Sequence, residues 1–178
     1  MYEEQVVHAY SNAKLGNFPA PDIQLIAAAE LIKEILRTRC PMDDHEVAIT
    51  VLAVEKADEH NGTGLIVSPS GGFLKGQQIF NALLGYQHWR GGYHAEFRPF
   101  WHWEIYFRPL KRRGTPCGEP KALYRLSSTW PGWKVTGYAC FWWTTKHIVT
   151  RHRIDSSHTA NERYMTPCDS CAALAVPK

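Results

Sequence analysis

The chain has 178 residues, 44% of them hydrophobic and 21% charged, with a mean hydropathy of -0.34. This is enough for one ordinary domain with a real core, and the composition excludes a disordered or collagen-like polymer. The net charge of +3 is modest, but it conceals an acidic first half and a basic middle. No apolar run approaches the roughly 18 to 20 residues that cross a bilayer, and Met1 to Gln5 have no signal-peptide character, so the expectation is a cytoplasmic protein with no membrane partner.

In chain order, Ile23, Leu25, Ile26, Ala29, Ile32, Ile35 and Leu36 recur at helical spacing between an acidic cap candidate, Asp22, and Arg37 and Arg39. This predicts a helix over Asp22–Arg39. Asp43 with Glu46 three residues on suggests a capping box and a second helix over 43–60, although the β-branched run Val47 to Val51 also allows a strand. Gly64–Ser68 and Gly72–Lys75, separated by Pro69-Ser70-Gly71, read as a short hairpin, and Ile79, Phe80, Leu83 and Leu84 predict a helix over 77–86. From Phe97 to Phe107 apolar and polar residues alternate, which predicts a strand with one buried face. Further strands are predicted over 121–128 and 134–154, with Trp130-Pro131-Gly132-Trp133 as the turn between them. The resulting expectation is an α+β fold, with N-terminal helices packed on a curved, mainly antiparallel sheet. Residues 1–178 form a single domain in this reading. It comprises an acidic, mainly helical part (1–85), a basic aromatic sheet (86–153) and an irregular tail (154–178) carrying Cys-x-x-Cys.

The charge follows these divisions. Residues 1–85 carry six Lys and Arg against eleven Asp and Glu, whereas residues 86–153 carry twelve against three and also hold all seven tryptophans. Single-stranded nucleic acid needs cations for its phosphates and flat rings for its unstacked bases. The strand face turned from the core would present Arg98, Phe100, His102, Tyr106 and Arg108, and the adjoining turn adds Lys111, Arg112 and Arg113. The expected partner is therefore single-stranded DNA or RNA, or an acidic protein surface that reads the same charge.

Five cysteines are an odd number and too few for a disulfide scaffold, so reduced thiols or a metal site are expected. The most specific motif is Pro167-Cys168-Asp169-Ser170-Cys171, whose two thiolates can reach one tetrahedral zinc. The two further ligands to a structural zinc would come from among Cys117, Cys140, His147, His152 and His158. Upstream stands His94-Ala95-Glu96. H-x-E followed by P-C-x-x-C resembles the zinc-dependent nucleobase and nucleotide deaminases. That resemblance implies zinc as cofactor, His94, Cys168 and Cys171 as its ligands, and Glu96 as the general acid/base. Two functions are thus carried forward, a nucleic-acid-binding sheet and a divergent zinc deaminase, beside an interaction protein with no ligand site.

Overall fold

The computed structural model describes residues 2–40, 46–89, 100, 102–108, 117–144 and 162–178. Helices α1 (Tyr2–Ser11) and α2 (Ile23–Arg39) lead into strands β1 (Glu46–Glu55) and β2 (Thr63–Pro69). Helix α3 (Phe73–Trp89), strand β3 (His102–Ile105), helix α4 (Gly118–Thr129), strand β4 (Lys134–Thr144) and a four-residue helix α5 (Asp169–Ala172) follow. The sheet has the order β3-β2-β1-β4, antiparallel at β1–β2 and β1–β4 and parallel at β2–β3. The fold is therefore α+β, with a mixed sheet that is mainly antiparallel. No helix among the described residues is long and apolar enough to cross a membrane.

Helix α2 begins where its cap predicts, because the Asp22 carboxylate accepts the Leu25 N–H at 2.9 Å. Its apolar stripe, from Leu25 to Leu36, is fully buried. The helix predicted over 43–60 is instead β1. That strand lies at the centre of the sheet with both faces covered, so Val47, Ile49, Val51, Leu52 and Val54 are all buried and the period-two alternation disappears. Its β-branched content decides the outcome. The hairpin partner of β2 is this strand, joined through a polar turn in which Lys56 N–H donates to Gly62 O at 2.8 Å and Asn61 takes a φ of 52°. Gly72–Lys75 is not a strand; α3 starts within it.

The segment 121–128, expected as a strand, lies in α4. Lys121, Ala122 and Leu126 face inward from it, and Pro120 falls in the first turn, where its missing N–H has no helical partner to lose. The sheet separates α2 from α4. Gly137 on β4 lies beside Ala53 and against Leu25 of α2, whereas Gly118 of α4 packs on Thr50, three residues from Ala53 and so on the opposite face. The turn 130–133 forms as predicted, with Gly132 at φ 83°. Of the stretch predicted as strand over 134–154, the part to Thr144 is β4 and the rest lies outside the described residues.

The last segment is held on the free edge of β4. Trp142 N–H donates to Arg163 O and Met165 N–H to Cys140 O, both at 2.9 Å, and the Tyr10 hydroxyl donates to Met165 O at 2.8 Å. Helix α2 holds the same segment from its other side. The Arg37 guanidinium donates twice to Glu162, and the Tyr164 hydroxyl donates at 2.8 Å to Glu30, which is also ion-paired with the buried Lys33.

A three-cysteine candidate metal centre

Two helix starts meet at one point. Cys117 is the N-cap residue of α4, and Cys168 is the N-cap residue of α5, one turn before Cys171. Their three sulfur atoms lie within 4.8 Å of one another, close to the roughly 3.8 Å that separates thiolates bound 2.3 Å from a tetrahedral zinc. Cys171 is buried and the other two are half-buried; all three are free thiols. The group could hold a metal ion.

The surroundings suit bound thiolates. The Cys117 thiol is lowered to about 7, chiefly because the Cys171 thiol donates to it, with help from Cys168 and from the Lys121 ammonium against the opposing effects of burial and Glu119. Cys171 is raised for the reciprocal reason, its hydrogen bond to Cys117, and then by burial. Lys121, one turn along α4, is itself buried and donates to the carbonyls of Pro69 and Gly71 at 3.1 and 2.9 Å. The N-terminus of the 12-residue α4 adds positive potential at Cys117.

Glu119 stands two residues after Cys117, as Glu96 does after His94. It is 6% exposed, and one carboxylate oxygen, Oε1, accepts the Tyr138 hydroxyl at 2.8 Å. The residue between them has to be small. A Cβ at Gly118 would fall 2.3 Å from Ser68 O and 2.7 Å from Thr50 Oγ1. Glycine therefore lets the start of α4 lie directly on β1 and β2.

The far side of the centre is fastened by the α1–α2 loop. Gly16, at φ 60°, approaches Ala172 so closely that a Cβ there would lie 2.2 Å from Ala172 O. Asn17 N–H donates to that oxygen at 2.9 Å, and Asn17 Nδ2 donates to Leu174 O at 2.9 Å.

Of the residues singled out from the sequence, Cys168 and Cys171 come together, and Cys117, a candidate ligand to a structural zinc, joins them. Cys140 is buried and is not one of the clustered thiols; its sulfur accepts from Thr50 Oγ1 at 3.8 Å. His94, Glu96, Arg98, Lys111, Arg112, Arg113, His147, His152 and His158 lie outside the described residues. On the predicted binding strand, Phe100 is not on an open face: it is 6% exposed and belongs to the core. His102 and Arg108 are exposed and Tyr106 is half-buried. Glu119, beside the three thiols, was not singled out from the sequence. Cys117-Gly118-Glu119 repeats the spacing of H-x-E with a thiol in place of the imidazole, and that signal was present in the sequence. No family model, curated protein or solved structure matches the chain.

Proposed function

We propose that the protein is a zinc-dependent deaminase of amino-bearing nucleobases, with Cys117, Cys168 and Cys171 as ligands and Glu119 as the general acid/base. The observation that carries this reading is the meeting of Cys-x-Glu at one helix start with Pro-Cys-x-x-Cys at another. The deaminase pattern admits three cysteines as well as one histidine and two cysteines, with a glutamate that is not a ligand. The reading thus keeps the reaction implied by His94 and Glu96 and reassigns its residues. Three soft donors match zinc better than magnesium or calcium, and three ligands among the described residues leave a fourth position for water.

A zinc ion held there would supply the Lewis acidity that makes a water molecule reactive near neutral pH. The chain's own work falls to Glu119. The Tyr138 hydroxyl holds Oε1, which leaves Oε2 to take a proton from the water and pass it to the ring nitrogen beside the carbon under attack. A carbon–oxygen bond forms and the carbon–nitrogen bond breaks. The amino group takes the second proton and leaves as ammonia, so that amine and water become carbonyl and ammonia. The burial of Glu119 keeps bulk water from that transfer.

The test is metal content together with ammonia release from cytosine- and adenine-containing substrates. Stoichiometric zinc that is lost in each of Cys117→Ser, Cys168→Ser and Cys171→Ser but kept in His94→Asn supports the ligand set. Glu119→Gln should keep zinc and lose at least about 100-fold in rate, as expected for a missing general acid/base. Zinc that depends on His94, or ammonia release unaffected by Glu119→Gln, refutes the assignment. Zinc with no deamination of any such substrate reduces the centre to a structural one.

A further inference from the structure

A groove of about 580 Å³ opens on the outer side of α4, bounded by the end of β3 and the residues after it. Its volume is in the range of small-ligand sites. Two tyrosines line it, Tyr106 and the 50%-exposed Tyr124, with ring centres 5.9 Å apart and planes tilted by 42°. Arg125 also lines it, its guanidinium 5.4 Å from the Tyr106 ring centre. The acidic group in the floor is already neutralised, because Glu104 accepts from Arg125 Nε and Nη2 at one oxygen and from Trp130 Nε1 at the other. Arg108, exposed at the rim, supplies the positive charge, and the hydroxyls of Ser128 and Thr129 line the opposite wall.

We infer that this groove is a nucleotide subsite, in which a base stacks on Tyr124 and Tyr106 while its phosphate meets Arg108. An exposed and a half-buried ring beside an exposed guanidinium that has no ion pair among the described residues suit a flat, anionic ligand. An acidic peptide would use the charge and leave the rings idle. The groove and the three-cysteine group also share helix α4. Tyr124 is seven residues along α4 from Cys117, close to two turns, which puts both on one side of the helix about 10 Å apart. A single strand with one base at the thiolates can lay a neighbouring base here. Resting on the deaminase reading, the inference names the substrate class: single-stranded polynucleotide and not free nucleoside.

Binding can be read without catalysis. Fluorescence anisotropy of the full chain with a labelled single-stranded cytidine-containing dodecamer should show saturable binding that weakens with salt. Tyr124→Ala and Tyr106→Ala should each weaken it about 5- to 150-fold, as for loss of one stacked base. Tyr124→Phe should restore it. Arg108→Gln should weaken binding and flatten its salt dependence, whereas Lys134→Gln, which removes an equal charge three strands away, should do neither. Three results would overturn the inference: no binding at low salt by folded protein, binding indifferent to Tyr124→Ala and Arg108→Gln, or displacement by polyglutamate as effective as by unlabelled oligonucleotide. Ammonia released from free nucleosides without oligonucleotide binding overturns the groove alone. Tyr124-dependent binding without zinc or deamination overturns the deaminase reading alone.

Discussion

Replacing Gly16 by alanine tests how the three-cysteine group is held. Two costs are separable in the structure. The first is conformational: at φ 60° an L side chain costs about 1–2 kcal/mol. The second is steric, since the new Cβ would lie 2.2 Å from Ala172 O, a backbone atom that no rotamer change can move. To restore normal contact, the end of α5 must retreat by about 1 Å. That takes the Asn17 N–H and Asn17 Nδ2 bonds, now both 2.9 Å, beyond useful length, at about 1 kcal/mol each. The total is about 3–4 kcal/mol. Gly71 provides the control, because its φ of 86° carries the first cost while nothing lies within 4 Å of its Cβ position. Urea unfolding followed by tryptophan fluorescence should place Gly71→Ala about 1–2 kcal/mol below the parent and Gly16→Ala about twice as far below. Gly16→Ala should also make Cys171 react faster with a thiol reagent in metal-free protein. If the two variants lose equal stability and Cys171 stays equally protected, the loop is not what holds α5.

Other substitutions probe the supports further from the thiols. Asp22→Ala removes the cap of α2 and should cost about 0.5–2 kcal/mol in the same unfolding assay, with no effect on metal content. Arg37→Gln breaks a two-point contact to Glu162 whose arginine is 44% exposed. The loss should be no more than about 1 kcal/mol, and it should shrink as salt is raised. Tyr10, Tyr138 and Tyr164 are buried, which pushes their phenols well above the ordinary 10.0. Folded protein then keeps protons that the unfolded chain releases, so stability should be level below about pH 10 and fall as pH rises beyond it. Ultraviolet titration should find these three phenols silent until the chain unfolds; titration of all eight tyrosines near pH 10 in folded protein would contradict it.

Local signals were legible where one face of an element met solvent. Helix α2 has an apolar stripe, a capping aspartate and terminal arginines, and each of these survives in the structure. β1 was obscured by its central place, since a strand covered on both faces has no alternation to read. α4 was obscured for another reason. The run from Lys121 to Leu126 is short, and Pro120 looks like a breaker until it is seen in the first turn. Cys168 and Cys171 could be read as a pair from spacing alone, because two thiols a turn apart are a local pattern. Their partner is not local. Cys117 reaches them only because α4 lies across β1 and β2 while Arg163 to Met165 lies along β4, a consequence of strand order. The aromatic strand was half legible: alternation correctly put Ile105 inside and His102 outside, but it also put Phe100 outside, where the structure buries it.

The central claim, that Cys117, Cys168 and Cys171 hold one zinc ion with a fourth position open to water, is tested most directly by zinc-edge X-ray absorption of the purified protein. The account predicts one zinc per chain with three sulfur neighbours at about 2.3 Å and one oxygen at about 2.0 Å. A four-sulfur shell, a shell with fewer than three sulfurs, or protein that takes up no zinc would contradict it.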